Sequence, residues 1–240
     1  MTDILLIPAK YNKKVIVPES IIRKLPDRLM LFSSVQFLEQ LHRISKQLES
    51  HGKKILMTQS KNFLYDGMVS EKGQLLGCNA ETFDAGNGKE FDAFLYIGDG
   101  VFHPKALLVN NRKDIYCYDP KISRLKILDK ELHDDYAKRA KGAVLAFLTS
   151  KNIGILVTTK RGQNSNKRAE KLCDEIKKRW PEKKVYMFLC SEMNFSELEN
   201  FNFIDVYINS ACPRIGHDDT SRSPKTIVNI SDVEGLLKEI

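Results

Sequence analysis

Two thiols stand where this chain turns. GQLLGCN (73–79) places Cys78 directly after Gly77, and NSACPRIGHDD (209–219) places Cys212 directly before Pro213. At both positions the backbone leaves regular structure and the sulfur is presented, which a metal or cluster ligand requires; a cysteine packed inside a strand or helix is inert. The chain has no C-x-x-C, no zinc-finger spacing and no ferredoxin run, so spacing alone leaves open that both are incidental small loop residues. If the two cooperate, the fold must join positions 134 residues apart.

The remaining cysteines read differently. Cys117 lies inside the strand-like IYCYD and Cys173 on the apolar side of a helix, so both are expected in the core, the commonest fate of a free cysteine. Cys190 ends its strand. His103, in GDGVFHP, and His217, beside Asp218 and Asp219, sit in loops, where a functional and a structural role are equally open. His42, His51 and His133 fall on helices or their ends and are expected at the surface. TTKRGQ (158–163) joins a strand to a helix, and its N–H groups with Lys160 and Arg161 suit a carboxylate or phosphate. The phosphate-loop, dinucleotide and nucleophile-elbow patterns are absent.

These residues are positioned by a unit written twice. LMLFSS (29–34) reads as a buried strand, VQFLEQLHRISKQLESHG (35–52) as a helix with apolar Phe37, Leu38, Leu41, Ile44 and Leu48, and KKILMTQS and FDAFLYIG as two more strands. The same order returns in IGILVTT (153–159), NKRAEKLCDEIKKRW (166–180), KKVYMFLC (183–190) and FIDVYINSAC (203–212). Lys53-Lys54 and Lys183-Lys184 flank corresponding strands, and Asp92 and Asp205 open their partners. Apolar strands separated by helices predict parallel sheets covered on both faces. The fold class is therefore α/β, two homologous three-layer domains with parallel sheets, spanning 1–150 and 151–240, with 131–152 as a joining helix counted in the first. Chemistry in such sheets gathers at the carboxyl edge, where the loops carrying Cys78, GDGVFHP and Cys212 are expected.

Composition bounds the rest. Five cysteines in 240 residues are odd in number and widely spaced, which predicts a reducing, cytoplasmic setting. No apolar run spans a membrane, and no export leader opens the chain. The formal charge of +7 favours anionic partners, yet the basic residues are scattered and not interleaved with aromatics, so nucleic acid is not expected to bind directly.

In order, GQLLGCN, YIGDGVFHPKAL (96–107), YDPKISRL (118–125), GILVTTKRGQ (154–163) and NSACPRIGHDD resemble the diphthamide synthase family, 2-(3-amino-3-carboxypropyl)histidine synthase subunits, most closely the archaeal form. The resemblance runs from about residue 29 to 219. It implies a radical enzyme of S-adenosylmethionine in which three cysteines, one from each of three homologous domains, hold a [4Fe-4S] cluster. The cluster binds the methionine part of the cofactor, and reductive cleavage yields a 3-amino-3-carboxypropyl radical that adds to a histidine of translation elongation factor 2. By motif, Cys78 matches the middle-domain ligand and Cys212 the last-domain ligand. Gly98, Asp99, Gly100, His103, Asp119, Lys160, Gly162 and Gln163 would line the cofactor pocket.

The family's first domain, with its cysteine, has no counterpart in the sequence, and two thiolates alone would hold a cluster weakly. Three remedies follow: a second subunit or separate domain supplying the third cysteine, a related full-length subunit carrying the working cluster, or Cys190 as a substitute ligand ending a strand next to that of Cys212. Expected partners are elongation factor 2, such a subunit, and a second copy of the chain as a homodimer. The alternative is a noncatalytic accessory subunit or degenerate paralogue that binds a catalytic subunit or elongation factor 2.

Overall fold

A computed structural model describes residues 7, 9–60, 70–78, 83, 90–109, 111–128, 130–160 and 163–239. The chain divides into two compact units whose main boundary falls between His133 and Asp134.

The first unit contains α1 (Glu19–Ile22), β1 (Arg28–Ser33), a 3-10 segment Val35–Gln40 running into α2 (Leu41–Ser50), β2 (Lys54–Leu56), β3 (Ala93–Ile97), a 3-10 segment Pro104–Leu108, β4 (Ile115–Asp119) and β5 (Arg124–Ile127). Side chains alternate across a strand, so Leu29 and Leu31 join Leu95 and Ile97 on one face, against Ile22 of α1 and Leu41, Ile44 and Leu48 of α2. On the opposite face Phe32 meets Phe83 (ring centroids 5.0 Å) and Phe94 (6.3 Å). The sheet order is β2-β1-β3-β4-β5, parallel throughout except for β5, which returns antiparallel to β4.

The second unit holds α3 (Lys130–Thr149), whose first residues precede the boundary, then β6 (Asn152–Thr158), α4 (Asn166–Arg179), β7 (Lys184–Cys190), a 3-10 segment Phe195–Asn200, β8 (Val206–Asn209), α5 (Arg214–Asp218), a 3-10 turn Thr220–Arg222, β9 (Thr226–Asn229) and α6 (Ile230–Glu239). Its sheet is parallel in the order β7-β6-β8-β9. Helices cover one face, with Phe147, Leu172, Ile176 and Val233 packed on Ile153 and Ile155. Phe195, Leu198 and Ile204 cover the other, over Leu156 and Tyr207. Among the described residues no helix is long and apolar enough to cross a membrane.

The repeat is visible down to single hydrogen bonds. Leu29 faces Ala93 as Ile153 faces Val206, and Arg28 faces Lys54 as Asn152 faces Lys184. The carboxylate of Asp92 accepts from the Arg28 N–H (3.2 Å), and that of Asp205 from the Lys151 and Asn152 N–H groups (2.9 and 2.8 Å). Lys53 Nζ donates to the Leu25 carbonyl beyond α1 (2.6 Å), while Lys183 Nζ donates to the Phe147 and Leu148 carbonyls at the end of α3 (3.1 and 2.9 Å) and to Ser150 O. Each copy therefore begins with the helix before its first strand, and α3 plays for β6 the part that α1 plays for β1. This places the boundary at 133/134 and not at 150: Ala143 and Phe147 of α3 are buried in the second core.

A buried cation that closes three carbonyls is worth more than an exposed one. Lys183→Met should lower stability by about 1–3 kcal/mol in urea titration, since three carbonyls, two of them buried, lose their donor.

Candidate functional site

In the first unit the Cys78 turn is stitched to the carboxyl end of β1. The Ser33 N–H donates to Gly73 O (2.9 Å), the Leu75 N–H donates to Ser33 O (2.8 Å), and Leu75 is fully buried. Gly77 has no space for a side chain: a Cβ there would lie 2.2 Å from Phe102 Cε1. The GDGVFHP loop thus packs directly on the turn, with Cys78 left half-buried. Gly77→Ala must push Phe102 aside, and increased exchange of the amides of 73–78, read by hydrogen-exchange mass spectrometry, is the expected result.

The same edge collects the other first-unit candidates. The Gly98 N–H donates to Tyr118 O (3.0 Å), so the Gly98–Gly100 turn begins between β3 and β4. Lys121 ties two carboxylates together, its Nζ donating to Asp99 Oδ2 (2.7 Å) and its N–H to Asp119 Oδ1 (2.8 Å). His103 stacks on Tyr96 (6.4 Å between centroids) and meets the edge of Phe102 (5.4 Å).

In the second unit Cys212 lies three residues beyond β8, in a turn held by buried amides. Asn209 Nδ2 donates to Cys212 O (2.9 Å), Asn209 Oδ1 accepts from the Ala211 N–H (3.1 Å), and Asn229 Nδ2 donates to Pro213 O (3.1 Å). Behind them His217 stacks on Tyr136 (5.4 Å), whose hydroxyl donates to Asp218, and Asp218 also pairs with Arg214. Lys160 is at this edge too, its N–H donating to Thr158 Oγ1 (3.1 Å) and its Nζ 3.5 Å from Glu192, and the Gln163 N–H closes the loop onto Lys160 O (3.0 Å). Gly162 lies outside the described residues.

The electrostatics separate the thiols. Burial pushes the Cys117 thiol up to about 12, so it is a core residue. Burial also raises Cys212, opposed by the Arg214 N–H and then by the Arg214 charge, both of which favour thiolate. Cys190 is raised by burial, and its Sγ donates to Val157 O (3.6 Å). Among the described residues no three His, Cys, Asp or Glu side chains come together as a metal site. The donors the two edges offer are single, partly exposed thiols, which suit the thiolate ligation of an iron–sulfur cluster.

His217 is buried and held down to about 4, first by burial and then by the Arg214 charge. The unfolded chain takes up a proton near pH 6.5 that folded His217 refuses until about pH 4, so stability is complete above about 6.5 and falls through that window. His217→Gln should remove about 2–4 kcal/mol of this acid dependence, seen as a flatter melting profile between about pH 6.5 and 4.

Two expectations are corrected. β6 lies between β7 and β8, so Cys190 and Cys212 do not end neighbouring strands, and their strands are two sheet spacings apart, roughly 10 Å. His133 is buried rather than at the surface. Residues that sequence reasoning missed include Asn229 and Arg214, which reach the Cys212 turn from β9 and α5, and Tyr136 of α3, which packs on His217 and bonds Asp218 behind it. Asn229 closes TIVN, which reads only as a strand end.

The family described as “Putative diphthamide synthesis protein” matches residues 3–240. The chain is 28% identical over 216 residues to the 2-(3-amino-3-carboxypropyl)histidine synthase of Pyrococcus horikoshii, covering 90% of this chain and 59% of that protein. It is 31% identical over 196 residues to subunit 1 of the Schizosaccharomyces pombe synthase, covering 80% of this chain and 42% of that one. A crystal structure of Dph2 from Pyrococcus horikoshii with a 4Fe-4S cluster superposes with a TM-score of 0.70 at 27% identity, covering 92% of this chain and 60% of that one. The chain thus spans about six tenths of its archaeal relatives. The family match runs over nearly the whole chain and the superposition extends over 92% of it, so the chain belongs to the diphthamide synthesis protein family.

Proposed function

We propose that this chain takes part in the first step of diphthamide formation, transfer of a 3-amino-3-carboxypropyl group from S-adenosylmethionine to a histidine of translation elongation factor 2, in a reducing cytoplasm. The observation that carries this reading is the placement of Cys78 and Cys212, each half-buried in a turn at the carboxyl edge of its own parallel sheet. The Pyrococcus relative with a 4Fe-4S cluster supports the choice of group.

Cys78 and Cys212 would each hold one iron of a [4Fe-4S] cluster as thiolates, and the Arg214 N–H and guanidinium lower the cost of the Cys212 anion. When bound, the cluster supplies the electron that opens the sulfonium C–S bond. The Gly98–Gly100 turn, His103 and Asp119 would line the cofactor on the first unit. The Lys160–Gln163 loop would meet the methionyl carboxylate on the second, with Lys160 as the counter-charge. Lys121 offsets the charge of Asp99 through its Nζ and hydrogen-bonds Asp119 through its N–H, which would lessen the repulsion of an anionic carboxylate.

The third thiolate comes from a second subunit or separate domain. The name of the fission-yeast relative, subunit 1, supports a multi-subunit synthase. Cys190 is a poor substitute because β6 separates its strand from that of Cys212. Anaerobic reconstitution with iron and sulfide, with and without a full-length archaeal synthase, tests the reading. An oxygen-sensitive brown species that transfers the group is expected, and absence of iron from this chain under both conditions would leave a scaffold.

A further inference from the structure

The carboxyl ends of β8 and β9 carry a polar pair that this fold does not need. Asn209 and Asn229 face one another in register, and in the first unit the same two register positions hold Tyr96 and Cys117. A buried amide is costly unless its donors and acceptor are met. Here Asn209 and Asn229 are 1% and 2% exposed, and both are fully engaged. Asn209 Nδ2 reaches both Asn229 Oδ1 (2.8 Å) and Cys212 O (2.9 Å), while Asn229 Nδ2 reaches Pro213 O and His217 Nε2 (both 3.1 Å).

Two further features hold Asn229 in that orientation. His217 stays neutral at physiological pH, and in its Nδ1–H tautomer Nε2 accepts from Asn229 Nδ2. α5 approaches so closely that a Cβ at Gly216 would lie 2.4 Å from Asn229 Oδ1. Residue 216 must therefore lack a side chain for the amide to keep its place.

We infer that Asn229 is a positioning residue for the Cys212 ligand: acting through Asn209 and the Pro213 carbonyl, it clamps the 211–213 turn so that the Cys212 sulfur is presented in one place. This rests on the proposed cluster role of Cys212. The clamp itself is a property of the metal-free chain.

The test uses that metal-free chain. Alkylation of Cys212 by iodoacetamide is followed by peptide mass spectrometry, with Cys190 in the same molecule as reference. Asn229→Ala should speed Cys212 about tenfold, because loss of the buried hydrogen bonds lets the turn open more often, and leave Cys190 unchanged. Gly216→Ala removes no polar group but sets a Cβ against the Asn229 amide, and the rate of Cys190 on β7 reports any general loosening of the unit. The clamp predicts the same acceleration, because the new Cβ displaces the Asn229 amide. Rates within about twofold of wild type in both variants would overturn the inference. Should neither variant fold, exchange of the wild-type Ala211 amide decides: protection equal to that of β8 supports the clamp, and exchange at the rate of an open loop overturns it. A wild-type chain that binds no iron would remove the cluster reading and leave these thiol rates interpretable.

Discussion

On the proposed function, Cys212→Ser should abolish group transfer and leave the fold intact. The Asn209 bond that shapes the turn uses the Cys212 carbonyl, and a serine Oγ can accept the Arg214 N–H as the sulfur does, so serine keeps the geometry while losing the thiolate. Activity on elongation factor 2 should fall to background, with a melting temperature unchanged within about 2 °C, as expected when no packing is lost. Cys78→Ala should behave alike. Two controls give the result its meaning. Cys173→Ser removes a buried thiol from the second core and should cost about 1–2 kcal/mol while activity persists. Cys190→Ser should leave transfer intact, because its strand is separated by β6 from the one leading to Cys212.

Phe147→Ala carries the largest expected cost in stability. The ring is fully buried, meets Trp180 edge-on at 5.6 Å and lies 5.4 Å below Lys183 Nζ. Truncating such a ring leaves a cavity and typically costs about 3–5 kcal/mol. Because α3 belongs to the second unit, the loss should fall there. Hydrogen-exchange mass spectrometry should show β6 and α4 exchanging faster while β1 and β3 keep their protection. Equal loosening of β1 would mean that α3 supports the first unit, as a boundary at residue 150 requires.

The repeat was readable from sequence because strands buried on both faces become unbroken apolar runs, as in LMLF and IGILV, and because Asp92 and Asp205 mark the same hydrogen-bonding duty in each copy. The placement of α3 was not readable. Its helical period is evident, but which core receives Phe147 depends on Lys183, 36 residues further on, capping its end. The relation of Cys190 to Cys212 failed for a similar reason. Chain order suggests neighbouring strands, and the crossover that inserts β6 between them exists only in the sheet. Cys78 and Cys212 were visible as turn residues because Gly77 and Pro213 frame them. Asn229 was not, since its value arises from register with Asn209 across two strands.

The most direct measurement is the iron and acid-labile sulfide content of anaerobically reconstituted wild type beside a Cys78→Ala, Cys212→Ala double variant, each assayed while bound to the full-length archaeal synthase, with the content of the synthase alone subtracted. If these two thiols are cluster arms, the wild type adds iron and sulfide in equal amounts and the folded double variant adds neither. Equal iron in the two proteins would contradict that assignment.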